Sequence, residues 1–362
     1  MTETTSVATQ VFRQLGRPND RDETARYVAV TGNGVARWLL PAGRSKLASL
    51  LASWRPYRLR SRVAWNAVRA ACTIGALAQI PGMSELEVEC PRAADWTALG
   101  WSGSEAPAPV VYLGTLGPQR KAVVHLVEQA TGKCQAVVKV PLTDQAKIAV
   151  VREAEVLGAL EAEDFESAPR LLYLDRAKGI TTQTFIEGRS GTRGMGPEVW
   201  RLLRLLMSPI ETTSLKTHAG RWQQDLGDGA EDSCVTRTID ELQDDSPLPA
   251  CWEHGDFVPW NIKRSFDECS LIDWEDARRN SLPLQDAFHF LHMQDFLFGA
   301  QPTLHAKNVC ARAHAMGLTP VQCRKLEAAY LVDAFAKCVR QENPKRRPFL
   351  LATLTQWQRQ AA

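Results

Sequence analysis

Apolar runs broken by short polar turns organise the first half of this chain. Residues 26–30 and 35–40 carry aromatic and β-branched positions around Thr31-Gly32-Asn33-Gly34, which predicts a hairpin. Helical spacing follows at 43–53 and 58–79. In the second of these Val63, Ala64, Ala67, Val68, Ala71 and Ile74 form an apolar stripe, with Trp65 beside it. Three further strands are predicted at 109–113, 122–128 and 135–140, with turns at 114–121 and 129–133. The period lengthens again over 144–161, where Ala149, Val150, Ala154, Leu157 and Leu160 mark a helix. Residues 170–175 and 179–188 read as a second hairpin that ends in a glycine turn. Near 278–291 a turn leads into a helix with Asp286 close to its start.

The densest chemistry lies in the second half. His254-Gly255-Asp256-Phe257-Val258-Pro259-Trp260-Asn261-Ile262 sets a carboxylate and an amide five residues apart. Leu271-Ile272-Asp273-Trp274-Glu275-Asp276 adds a second carboxylate at the end of an apolar run. Phosphoryl transfer needs such a set. One carboxylate accepts or orients the proton of an attacking hydroxyl, while an amide oxygen and another carboxylate hold the magnesium that bridges the phosphates.

These residues resemble the catalytic core of the aminoglycoside phosphotransferase-like family of small-molecule kinases, whose pattern is H-G-D-x-x-x-x-N followed by I-D-W/F-E. The resemblance implies an α+β, two-lobed protein-kinase-like fold: a small antiparallel-sheet N-lobe at 106–187 and a mainly helical C-lobe at 188–362; the basic N-terminal extension at 1–105 that precedes them is not explained by it. It implies ATP and Mg2+ as cofactors. It makes Asp256 the catalytic base, Asn261 and Asp273 the metal ligands, and His254 a brace for the catalytic loop. Lys139 stands where the family's phosphate-pairing lysine stands, within an apolar strand, and a lysine there is costly unless paired. Arg152-Glu153-Ala154-Glu155-Val156-Leu157 is similar to the family's R-E-x-x-x-L helix and assigns Glu153 to Lys139. Glu155, about 200° away around the helix, is the competitor. The turn over the phosphates carries glycine only at Gly114 and Gly117, and Pro118 removes one amide donor. Thr184 and Ile186 are the adenine-hinge candidates by position, and an aspartate at Asp286 ties its helix to the catalytic-loop backbone. His289 and His292, three apart, have no carboxylate or cysteine at ligand spacing and read as helix-face residues.

Composition adds two things. Nine scattered cysteines without a C-x-x-C pair argue for reduced thiols and against a zinc site, and with no signal-peptide pattern they point to the cytoplasm. The net charge of +2 conceals an asymmetry: residues 24–84 hold Arg26, Arg37, Arg44, Lys46, Arg55, Arg58, Arg60, Arg62 and Arg69 and no acid, so the segment is +9 and the remainder −7 (+2 − 9). Such a stretch meets phosphate or anionic lipid, or simply faces water. Arg60, Arg62 and Arg69 interrupt the 58–79 helix and exclude a membrane span. A helix packed on the nucleotide lobe is the main reading and an interfacial helix the second. Nucleic-acid-binding motifs are absent. The segments Trp38-Leu39-Leu40-Pro41 and Trp54-Arg55-Pro56-Tyr57-Arg58-Leu59 also resemble uncharacterised phosphotransferase-like proteins that accompany bacterial surface-polysaccharide genes.

The partner expected is a small molecule bearing a hydroxyl, of sugar or aminoglycoside type. Asp225, Asp228, Glu231, Asp232, Asp240, Glu241, Asp244 and Asp245 form an acidic set that would suit a polycation but reads first as a solvated surface. Of Trp222, Trp252 and Trp260, the last lies inside the catalytic loop and has the best claim to touch an acceptor; Trp252 reads as core. The competing function is a kinase-fold module that binds or regulates without catalysis. The sparse glycine turn favours it, and the presence of Lys139, Asp256, Asn261 and Asp273 together opposes it.

Overall fold

The computed structural model describes residues 3–16, 22–32, 34–43, 45–54, 56, 59–91, 96–227, 233–266, 268–313, 316–341 and 344–361. Asn33, Arg44, Arg55, Tyr57, Arg58, Asp228, Glu231 and Asp232, named above, lie outside the described residues. The chain forms two compact units. One comprises 1–190 and 263–275, the other 191–262 and 276–362.

The first unit is built on a sheet. In chain order it contains α1 (Glu3–Leu15), β1 (Asp22–Gly32), β2 (Val35–Pro41), α2 (Ala48–Ala52), α3 (Leu59–Ile74), β3 (Ser84–Pro91), β4 (Ala108–Leu113), β5 (Lys121–Val127), β6 (Cys134–Pro141), α4 (Asp144–Ala162), β7 (Leu171–Asp175), β8 (Ile180–Thr184) and β9 (Arg189–Ser190). Eight of the strands make one antiparallel sheet in the order β3-β1-β2-β4-β5-β6-β8-β7. The five strands expected after residue 105 are all present. β1 to β3 join them, because β2 pairs with β4 through Trp38 opposite Tyr112 and Leu39 opposite Val111. The basic segment therefore supplies strands to this sheet.

Alternation along each strand gives the sheet two apolar faces. Ala8, Val11 and Phe12 of α1 pack with Val111, Leu113, Val124, Val138 and Val140. Trp38, Val110 and Val127 pack with Leu50, Leu51, Trp65, Val68 and Cys72 of α2 and α3. Burying each large apolar side chain contributes roughly 1.5–3 kcal/mol. The predicted stripe of α3 is out of phase with the observed one: Trp65, Val68, Ala71 and Cys72 are buried, whereas Val63 is 65% and Ile74 78% exposed. The reason is aromatic packing. Trp65 meets Trp38 at 5.5 Å and Trp54 at 4.6 Å between ring centroids, and the large rings set which face turns inward.

The second unit is mainly helical. It begins with α5 (Pro197–Leu206), β10 (Glu211–Thr213), α6 (Leu215–Leu226), α7 (Ser233–Glu241) and β11 (Leu248–Glu253). The chain then returns to the first unit through β12 (Ile262–Ser265) and β13 (Glu268–Leu271), where β12 pairs with β9. It re-enters the second unit at β14 (Arg278–Ser281) and continues as α8 (Gln285–Phe298), α9 (Ala306–Ala313), α10 (Pro320–Arg340) and α11 (Arg347–Ala361). Trp222 and Trp252 are buried core residues here, and the Trp222 indole donates to Asp333 Oδ1 at 2.9 Å. Among the described residues no helix is long and apolar enough to cross a membrane.

Candidate active site

In the first unit, β6 is apolar apart from Gln135 near its start and Lys139. Lys139 is 2% exposed, and its Nζ lies 2.7 Å from both oxygens of Glu153 and 2.5 Å from Asp273 Oδ1. Thr143 caps α4 by accepting from Ala146 N, and the helix then buries Ala149, Val150, Ala154 and Leu157 on one face. Glu153 falls on that face and is 1% exposed. Glu155 points away and pairs with Arg176 on the surface. Helical phase therefore decides between the two glutamates, in favour of Glu153. A buried lysine held by two carboxylates escapes the cost of an unpaired buried charge.

Asp273 follows β13 with a left-handed backbone, φ 65°, a strained conformation for a non-glycine residue. The next residue anchors it: Trp274 is fully buried, and its amide donates to Glu153 Oε1 at 3.1 Å. Glu153 thus holds the lysine and the Asp273 loop at once. A second lysine joins this cluster. Lys121, at the start of β5, pairs with Glu275 and lies 3.6 Å from Asp273 Oδ1. Burial works against its ammonium, but Asp273, Glu275 and Glu153 outweigh burial and hold the amine above its ordinary pKa. Sequence reasoning missed Lys121 because it sits at a strand edge, where lysine is common.

Gly114 donates its amide to Lys121 O at 2.9 Å, and a Cβ there would meet that oxygen at 2.8 Å. Gly117 accepts from Arg120 N and has open space around it. At the hinge candidates, the Thr184 amide donates to Arg170 O and the Phe185 amide to Gln135 O. The Thr184 hydroxyl is also taken, by Arg170 N.

The second unit holds the other motif. His254 is fully buried, and its ring Nδ1 accepts from Asp256 N at 3.3 Å. Gly255 has φ 77°, and a Cβ would meet Asp276 O at 2.4 Å, so the turn admits only glycine. Asp286, in the first turn of α8, accepts from His254 N at 2.7 Å and Gly255 N at 3.0 Å, which fastens the loop to the helix as the resemblance implied. Burial, aided by the nearby Glu253, pushes the Asp286 carboxyl up to about 8, while the two amides pull the other way. Asn261 donates from Nδ2 to Asp256 O at 3.0 Å and to Asp256 Oδ2 at 2.9 Å, which leaves its amide oxygen as the ligand-capable atom.

Asp256 has a partner that its sequence neighbours do not reveal. His289 Nε2 lies 3.3 Å from Asp256 Oδ1, and His289 Nδ1 lies 3.4 Å from the Tyr330 hydroxyl, which accepts from Arg346 at 2.5 Å. One consistent assignment has Arg346 donating to Tyr330, Tyr330 to His289, and His289 to the carboxylate. Burial pushes Asp256 up, but the His289 hydrogen bond and charge, with Lys337 and His254, prevail and hold it below the ordinary carboxylate value. Burial also depresses His289, against the pull of Asp256. The helix-face reading of both histidines is thereby corrected. His289 is a buried partner of Asp256, and His292 is fully buried against Glu327 at 2.9 Å, with Asp295 and His305 nearby. Both face inward because α8 packs against α10, whose Glu327 and Tyr330 receive them.

The model of the Phosphotransferase enzyme family matches residues 119–311, which is 193 of the 362 residues. No curated protein matches the chain. Similar solved structures include a thermostable mutant of aminoglycoside phosphotransferase APH(4)-Ia in its apo form, 15% identical, with TM-score 0.48 over 70% of this chain and 94% of that one. A choline/ethanolamine kinase family protein from Mesorhizobium loti is 16% identical, with TM-score 0.41 over 81% and 93%. The macrolide 2'-phosphotransferase MphH from Brachybacterium faecium is 17% identical, with TM-score 0.46 over 67% and 91%.

Proposed function

Since the chain belongs to the Phosphotransferase enzyme family, we propose that it moves the γ-phosphate of ATP to a hydroxyl of a small molecule, of sugar or aminoglycoside type. The observation that carries the reading is Lys139, buried and held between Glu153 and Asp273. In this reading Lys139, positioned by Glu153, pairs the phosphates. Gly114 and Gly117 shape the turn over them. Thr184 and Ile186 form the hinge, where the Thr184 amide is already engaged and Ile186 is the better candidate to meet adenine.

Asn261 and Asp273 are assigned as magnesium ligands. The donor chemistry fits: each offers a hard oxygen, and the Asp273 side chain is 35% exposed. The ion, when bound, neutralises charge on the phosphates. Asp256 aligns the acceptor hydroxyl and takes its proton, and His254 braces the loop that carries it. Its depressed pKa keeps Asp256 ionised at neutral pH and ready to accept a hydrogen bond. Most of the acceleration comes from position and charge. A module that only binds or regulates has no chemical use for Lys139, Asp256, Asn261 and Asp273 together.

Asp256→Asn is expected to abolish ADP release against pooled monosaccharides, aminoglycosides, choline-like amines and homoserine, while leaving Mg-nucleotide binding intact. Asp273→Ala is expected to weaken that binding instead. Near-full turnover in Asp256→Asn would remove Asp256 as the base.

A further inference from the structure

The first unit holds a cavity of about 320 Å³ that the proposed phosphotransfer residues do not touch. Trp54, Pro56, Arg62, Trp65, Arg69 and Arg189 provide its walls, and no carboxylate lines it among the described residues. Three arginines thus line one void. Arg62 spends Nε on Pro56 O at 2.9 Å. Arg69 Nε is buried with no hydrogen-bond partner. Buried donors in native proteins are almost always paired, so an unpaired one points to an acceptor. The indoles are fixed: Trp65 Nε1 donates to Leu51 O at 2.9 Å, and Trp54 meets Trp65 edge-on at 4.6 Å. They offer rigid apolar walls beside the cations.

We propose that this cavity binds a phosphate-bearing small molecule, its phosphate on Arg62, Arg69 and Arg189 and its body against Trp54 and Trp65. Guanidinium forks match phosphate oxygens in pairs, and an anion supplies both the missing acceptor for Arg69 and the charge that three clustered cations lack. The volume lies at the small end of ligand pockets. The phosphate has two sources, a soluble sugar phosphate or the headgroup of a lipid. The outer face of α3 bears on this choice: Leu59, Val63 and Ile74 are 74%, 65% and 78% exposed, with Arg60 exposed beside them. This site goes beyond the phosphotransfer reading and does not depend on it.

The test uses the full chain without nucleotide. Equilibrium dialysis measures binding of glucose 1-phosphate, and flotation measures binding to phosphatidylcholine vesicles doped with a polyprenyl phosphate. Arg69→Gln and Arg189→Gln are expected to weaken binding at least about tenfold, the loss of one charged hydrogen bond. Arg69→Lys, which keeps the charge and loses the fork, is expected to fall between. Arg176→Gln, at an exposed arginine away from the cavity, is expected to leave binding unchanged. Arg189 is exposed at the end of its strand, so its variant keeps the test open if Arg69→Gln fails to fold. Arginine-dependent binding of glucose 1-phosphate identifies a soluble ligand, and arginine-dependent binding of doped vesicles alone identifies a lipid one. Each supports the site. Binding kept at full strength in both Arg69→Gln and Arg189→Gln would place the phosphate elsewhere and overturn it. So would the absence of binding in both assays.

Discussion

Asp256 shows how a single side chain is tuned by residues far along the chain. Its amide neighbour Asn261 was legible from spacing, because both belong to one short loop. Its histidine was not, because His289 is 33 residues away and Tyr330 a further 41. No local pattern couples a loop to two helices. Replacing His289 with Phe removes the hydrogen bond that opposes burial, so the Asp256 pKa must rise. The acid limb of the kcat/KM profile is expected to shift to higher pH, with kcat lowered about tenfold as the carboxylate loses its orientation. His289→Gln, which keeps a donor, should recover part of both effects. A merely structural role would lower yield or Tm without moving the limb, so the pH profile separates the two.

Elements translate these contacts into sequence rules with uneven success. Helix α4 was readable because one apolar face and a threonine cap define its phase, and phase alone decides between Glu153 and Glu155. Helix α3 was misread because its alanines fit either face, and the burial direction was set by Trp38 and Trp54 outside it. The turn at Gly255 lies between these cases. The glycine is visible in sequence, but the reason for it, the carbonyl of Asp276 at 2.4 Å from a would-be Cβ, is tertiary. Gly255→Ala must therefore both adopt φ near 77° and displace backbone. A loss of about 2–4 kcal/mol in unfolding free energy is expected from chemical denaturation, the sum of a strained φ and a local clash. Activity should fall as well, because Asp286 grips the amides of His254 and Gly255 itself. Wild-type stability in this variant would mean that the turn relaxes without cost.

At the scale of the molecule, periods marked the individual strands and helices, while the two-part α+β plan was legible only through the resemblance that the 254–276 motif carries. The participation of residues 22–91 in the sheet was not, since strand pairing leaves no mark in composition. The segment read as basic because its arginines dominate the count, yet Val28, Trp38, Leu39 and Leu40 are among the most buried residues of the first unit. Both apolar faces of the sheet draw on residues from before and after position 105. A chain starting at residue 106 would expose β4 as a new edge carrying Val110 and Val111, with neither α1 nor α2–α3 to cover the two faces. Long apolar edges of this kind pair with other chains. The truncated protein is expected to aggregate, with little recovered in the soluble fraction and no cooperative thermal transition. If it instead folded with the Tm of the full chain and bound Mg-nucleotide equally well, residues 1–105 would be an appendage to the sheet, and the fold of the first unit would rest on β4 to β8 alone.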